Sequence, residues 1–402
     1  MRTASVLRVS TRRSIVVMAA MAAVLAGCSG KDSPVSVASS SSSPTSSAPS
    51  SSAAPVAACG ADVLRTMPLR RKLAQLLVVG VTGAADARAV VQDQGIGGIF
   101  IGSWTDMSML GAPLKEIAAQ STLPLTVTID QEGGRVNRLT QLGIVTPAPR
   151  TLAATRTPDQ VRSMAKDMGL KMKNLGITVD FAPDSDVSDE PDDEVIGDRS
   201  FSNDPSTVTK YAGAFAQGLR DAGIMPVFKH FPGHGHGSGD SHTGTVRTPP
   251  LSSLIADDLL PYKTLIGPDS AMPSAPDWSA VMVGHLIVPG LTGPDTPASI
   301  SPDAMRLLRN GTGYGGRPFG GPIFTDDLSG MAAISAQHPI TEAVPMALEA
   351  GADQALWLST KQVPAVLDAL TAAVTAGRLP QAQVDASVVR VLRAKGKITC
   401  SG

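Results

Sequence analysis

Met225-Pro226-Val227-Phe228-Lys229-His230-Phe231 starts as a short apolar strand and ends in two ionisable side chains. Reading outward, seven further runs have the same extended, β-rich character: LLVVGV at 76–81, GGIFI at 97–101, PLTVTID at 124–130, ITVDFAP at 177–183, AVMVGHL at 280–286, GPIFTDD at 321–327 and ADQALWL at 352–358. Stretches with helical character lie between them, including 158–175, 205–222, 302–310 and 361–376, and Gly176, Gly223 and Gly377 stand where helices are closed. Eight strands alternating with helices predict an α/β protein of the closed (β/α)8 TIM-type barrel class, a single catalytic domain over 59–402. An open doubly wound sheet would carry a glycine-rich phosphate loop after its first strand, and none follows residue 81.

The strand ends carry the chemistry. Strand three ends in Asp130, strand five in Lys229 and His230, strand six in His285 and strand seven in Asp326, while strand four runs into Asp184 and Asp186. Active sites of parallel barrels are built at these C-terminal ends. A single aspartate there is often only a helix cap, but four or five such ends argue for a site. Strand five continues into Pro232-Gly233-His234-Gly235-His236-Gly237-Ser238-Gly239-Asp240-Ser241-His242. Asp240 can reach the ring of His242 within one loop and orient it as a general acid/base. The four histidines between residues 229 and 242 (His230, His234, His236 and His242) also suit a metal site, but their spacing is not that of a zinc protease. No metal and no cofactor is expected.

The run K-H-F-P-G-H-G at 229–235, followed by D-S-H at 240–242, resembles the signature of glycoside hydrolase family 3 in its NagZ-type β-N-acetylglucosaminidase branch. Four more segments agree in order: Asp130-Gln131-Glu132-Gly133-Gly134-Arg135-Val136-Asn137-Arg138, Phe181-Ala182-Pro183, Ile196-Gly197-Asp198-Arg199-Ser200-Phe201, and Phe324-Thr325-Asp326-Asp327-Leu328-Ser329. The resemblance spans about 62–395. It implies a retaining β-N-acetylglucosaminidase with Asp326 as nucleophile, His242 as acid/base and Asp240 as its partner. It further implies substrate binding by Asp130, Arg138, Arg199, Lys229 and His230. Asp327 would face the other way along the strand and act as a cap or as a supporting partner behind the site. Many relatives carry a second α/β domain that supplies a carboxylate acid/base. With little chain after the eighth strand, the acid/base is expected from the barrel and the substrate is expected to be N-acetylglucosamine β-linked in peptidoglycan fragments. An imidazole acid/base would also tolerate phosphate as acceptor. The aspartate-rich stretch 184–198 reads as a solvated loop. A metal-dependent hydrolase and a non-catalytic glycan-binding protein are the competing classes.

The chain ends suggest export. Arg2, Arg8, Arg12 and Arg13 precede an apolar run from Ile15 to Leu25, which stops at Leu25-Ala26-Gly27-Cys28. This resembles a lipoprotein signal peptide over 1–27 with lipidation at Cys28, hence anchoring to the outer face of a bacterial cell membrane. Residues 28–58 are rich in Ser, Ala and Pro and read as a tether. Cys59 and Cys400 remain as a candidate disulfide. A net charge of −1 offers no basic field for nucleic acid, and a monomer is expected. The glycine-rich segment 232–242 reads as a lid, so its amide hydrogens should exchange faster than those of the barrel strands. Exchange as slow as in the strands would contradict that expectation.

Overall fold

The computed structural model describes residues 60–399. The assigned signal and tether, with Cys28 and Cys59, and Cys400 at the other end, lie outside the described residues. Eight parallel strands close into a barrel: β1 (Leu77–Val81), β2 (Gly98–Ile101), β3 (Thr126–Ile129), β4 (Val179–Asp180), β5 (Met225–Phe231), β6 (Ala280–Val283), β7 (Ile323–Asp327) and β8 (Gln354–Trp357). Each strand pairs with its sequence neighbours, and β8 closes on β1 with Leu77 opposite Ala355 and Val79 opposite Trp357. The (β/α)8 expectation holds.

The helices form where the sequence places them: Pro158–Asn174, Pro205–Ala222, Pro302–Asn310 and Val363–Thr375. Their starts are chemically marked. Thr157 and Gln160 make a reciprocal capping box, and Asp204 accepts from the amides of Ser206 and Thr207. β4 is shorter than the predicted 177–183. Single bonds extend its pairing, from Phe181 N to Ile129 O at 2.8 Å and from Val227 N to Ala182 O at 2.9 Å. The ladder then meets Pro183, which has no amide hydrogen to give.

Alternation along the strands sorts the side chains. Val78, Phe100, Val179, Val227, Met282, Phe324 and Leu356 fill the barrel interior together with Phe181. Phe181 stacks on Phe100 and meets Phe324 edge-on at 5.3 Å. The intervening residues, such as Leu77, Val79, Ile99, Val127 and Val281, pack outward against the helices. Two residues beyond the inward Thr128, Val227 and Phe324 come Asp130, Lys229 and Asp326. The register that buries the apolar interior therefore also aims these three charged groups into the barrel mouth.

A second ionic cluster holds the start of β7. Asp353 is fully buried and accepts from Arg309 Nη2 at 2.7 Å, from Arg390 Nη2 at 2.7 Å and from Ile323 N at 2.9 Å. Removing one member of a buried ion cluster strands the others. Asp353→Ala should therefore cost about 3–5 kcal/mol of stability in urea unfolding; a loss under about 1 kcal/mol, the scale of a surface pair, would contradict the assignment.

Candidate active site

The mouth of the barrel holds a cavity of about 280 Å³ lined by Asp130, Arg138, Arg199, Lys229, His230, His242 and Asp326, among others. Seven of the eight residues expected at the site thus share one space, and the eighth, Asp240, reaches it through His242. The floor is a buried charge network. Lys229 Nζ stands 2.8 Å from Asp130 Oδ1 and 2.6 Å from Glu132 Oε1. Arg199 meets Glu132 through two parallel bonds, Nε to Oε2 at 2.8 Å and Nη2 to Oε1 at 2.9 Å. Burial opposes the charge on Glu132, Arg199 and Lys229, but the neighbours win. Arg199 and Lys229 hold the Glu132 carboxyl well below the usual range. Asp130 and Glu132 raise the Lys229 ammonium above its ordinary value. Glu132 was not singled out by sequence reasoning, although it lies inside the quoted segment 130–138; its partner Arg199 is distant in the chain.

The stretch 184–198 is not uniformly a solvated loop. Asp184, Ser185 and Asp186 are fully buried, whereas Asp192 and Asp193 are exposed. Water is replaced by protein donors. Asp186 accepts from the amides of His230 and His234 and pairs with His230 Nδ1 at 2.7 Å. Burial disfavours its charge, yet His230 and those further donors bring it to about 2. Asp184 goes the other way, pushed well up by burial and by the charge of Asp186. The neutral form of Asp184 beside an ionised Asp186 keeps two adjacent carboxyls compatible.

Asp326 and Asp327 face different surroundings, as strand alternation requires. Asp327 accepts from Ser329 N and Oγ and from Gly330 N, each at 2.8 Å, and closes the turn after β7. Asp326 looks into the cavity. Burial opposes its ionisation, but the fields of His230 and His285, the Asp327 amide and Lys229 hold its carboxyl below the ordinary value. His285, expected among the ionisable strand ends, does not line the cavity. Its Nε2 donates to Asp327 O at 2.8 Å and its Nδ1 is hydrogen-bonded to Ser299 Oγ at 2.7 Å, which braces the backbone beside Asp326.

The loop after β5 brings Asp240 and His242 over the cavity. Asp240 Oδ1 accepts from His242 N at 2.9 Å and lies 2.8 Å from His242 Nδ1. With Nδ1–H engaged, Nε2 is the ring atom free for substrate. The tip is tied to the segment after β7 by Ala333 N to Ser241 O at 3.0 Å and Ala332 N to His242 O at 3.3 Å. His242 is 65% exposed, in contrast to the half-buried Asp326. Arg138 reaches the same space with its buried Nε lacking any hydrogen-bond partner. Trp104, 44% exposed, stands at the rim against Phe100.

The four histidines weighed as a metal cluster do not converge. His230, His236 and His242 each engage a different carboxylate through Nδ1: Asp186, Asp258 and Asp240. Among the described residues, two groups could hold a cation by proximity, Asp184–Asp186–His230 and His236–Asp257–Asp258. In both, the histidine Nδ1 is already occupied by a carboxylate.

A parallel barrel whose mouth presents an ionised aspartate, an aspartate-bound imidazole and a bed of paired charges has the equipment of a hydrolase acting on a polar, hydroxyl-rich substrate. The chain belongs to glycosyl hydrolase family 3: the family's N-terminal domain matches residues 68–394. It is 56% identical to the β-hexosaminidase LpqI of Mycobacterium tuberculosis over 386 residues, 96% of this chain and 97% of that one. A β-hexosaminidase of Alkalilimnicola ehrlichii is 35% identical over 305 residues, 72% of this chain and 83% of that one. The crystal structure of a family 3 glycosyl hydrolase from Mycobacterium smegmatis superposes with a TM-score of 0.79 at 58% identity, covering 84% of this chain and 99% of that chain.

The depressed Glu132 carboxyl has a consequence for acid stability. Its contribution is complete above the carboxylate's unfolded pKa of about 4 and is lost as pH falls toward the folded value. Glu132→Gln should lower the urea midpoint at neutral pH and flatten the decline of stability below about pH 4. An unchanged acid slope would show that Glu132 is not held ionised by this network.

Proposed function

We propose that the chain is a retaining β-N-acetylhexosaminidase that removes terminal β-linked N-acetylglucosamine, with Asp326 as nucleophile and His242 as acid/base. The observation that carries this reading is the pairing in one cavity of an Asp326 held ionised by nearby cationic groups and a His242 fixed through Nδ1 by Asp240. The β-hexosaminidase names of two relatives support the substrate class.

The chemistry follows from the atoms. The Asp326 carboxylate attacks the anomeric carbon while the bond to the leaving oxygen breaks. The electron pair of that bond goes to the oxygen, which takes the Nε2 proton of His242. The imidazole is then neutral and removes a proton from the water that attacks the glycosyl–aspartate. The ester bond breaks, Asp326 regains its charge, and the sugar keeps its original configuration. Asp130, Lys229 and His230 orient ring hydroxyls. Arg199 braces Glu132 and, with it, Lys229. Arg138, with an unsatisfied Nε, is left to meet a polar substituent of the substrate.

The same reading extends to the setting of the enzyme. Fragments in which N-acetylglucosamine is β-linked to N-acetylmuramic acid are the proposed substrate. A lipid at Cys28, with 28–58 as tether, would hold the domain 59–402 at the outer face of the cell membrane. The Cys59–Cys400 disulfide gains support from the described residues beside it: a Cβ placed on Gly60 would stand 2.8 Å from Ile398 Cδ1.

The test is release of a chromogenic aglycone from a β-N-acetylglucosaminide with EDTA present. Wild-type turnover should persist, and Asp326→Ala and His242→Ala should each lower kcat by about 100-fold or more. Turnover abolished by EDTA, or indifferent to Asp326, would sink the assignment.

A further inference from the structure

The acid/base loop has an anchor that the reaction itself does not use. His236 lies midway along the loop, and its Nδ1 is 3.0 and 3.2 Å from the two carboxylate oxygens of Asp258. Asp258 is buried, only 2% exposed, between the short helices Leu251–Ala256 and Leu260–Leu265. The loop touches this carboxylate twice. At its start Gly233 passes so close that a Cβ there would stand 2.4 Å from Asp258 Cβ, at a φ of 135° that only glycine adopts readily. Further along comes the His236 contact. Beyond it, Gly239 and Gly244 have nothing within 4 Å of a Cβ position, so the backbone on either side of the buried Ser241 is loosely packed.

The geometry points to His236 as a positioning residue: its bond to Asp258 fixes the middle of the loop so that Nε2 of His242 reaches the leaving oxygen. A buried carboxylate with a histidine as its side-chain partner holds that partner strongly, because letting go leaves the charge uncompensated. The Asp258 hydrogen bond, with the added charges of Asp257 and Asp189, overcomes partial burial and raises His236 to about 9, so the contact is charge-assisted across the neutral range. Before it, the loop is held by the buried carboxylate of Asp186, which accepts from His234 N at 2.7 Å; beyond His236 the ties to the rest of the fold are neutral. Ser238 N bonds Arg247 O at 2.8 Å near the surface, and the tip makes the two amide bonds to Ala332 and Ala333.

This inference rests on His242 being the acid/base, and leaving-group dependence separates the two. A leaving group that departs readily as an anion needs little proton donation, whereas a sugar alcohol needs it fully. The measurement is kcat/KM, which reports the first bond cleavage, on a 2,4-dinitrophenyl β-N-acetylglucosaminide and on the disaccharide with N-acetylmuramic acid. His236→Ala should lose roughly tenfold on the disaccharide and stay within about twofold on the dinitrophenyl substrate. His236→Asn places an amide N–H where Nδ1–H stood and should recover most of the loss. Equal losses on both substrates, no loss on either, or an Asn variant no better than Ala would overturn the inference. His242→Ala is the reference. If it shows the leaving-group split and His236→Ala does not, the positioning role fails and the acid/base reading stands. If His242→Ala shows no split, the acid/base reading fails first.

Discussion

Lys229 places an ammonium inside the barrel mouth with almost no access to water, and that charge is tolerable only because Asp130 and Glu132 meet it at 2.8 and 2.6 Å. Glu132 in turn is doubly bonded by Arg199. Desolvating any one of these groups alone would cost several kcal/mol; together they form a bed of opposed charges that the fold must assemble as a unit. The bed draws on the ends of β3 and β5 and on the 3-10 turn Gly197–Arg199. The site therefore exists only when the barrel is closed in its correct register, and a slip of one residue in β5 would turn Lys229 into the outer hydrophobic layer.

The same register decides what could be read from the chain. Asp130, Lys229 and Asp326 were legible because each ends an apolar strand and shares its parity with the interior residues Thr128, Val227 and Phe324. The Asp240–His242 pair was legible because it is local, two residues apart. Glu132 was not, and Asp184 and Asp186, although they follow a strand end, also read as part of a solvated loop. The roles of Glu132 and Asp186 come from partners 67 and 44 residues away, Arg199 and His230. An aspartate-rich run looks solvated on composition alone, since nothing local announces the amides that replace water. The shortened β4 was missed for a smaller reason: β-rich composition continues to residue 183, but pairing thins to single bonds and is interrupted where proline has no hydrogen to donate, before Ser185 N bonds Lys229 O.

The two proposed catalytic groups are mounted in opposite ways. Asp326 sits on a strand, half-buried, with its backbone braced through Asp327 and His285. A nucleophile so held is aligned before substrate arrives. His242 is on a glycine-rich loop, largely exposed, and depends on Asp240 and on the loop's attachments for its place. On the proposed reading, a loop so mounted would open for a sugar to enter and present the proton donor from the solvent side, with precision at the anomeric carbon and access for the leaving group assigned to separate parts of the fold.

The central claim is that Asp326 bonds to the sugar. Incubation with a fluorinated N-acetylglucosaminyl donor, whose glycosyl–enzyme forms faster than it hydrolyses, should add one sugar to the intact mass of the protein. Proteolysis and tandem mass spectrometry should then locate that sugar on Asp326, within the peptide containing Phe324-Thr325-Asp326-Asp327. An adduct on any other residue, or turnover of the donor with no covalent species at any time, would contradict the two-step reaction and the role given to this strand end.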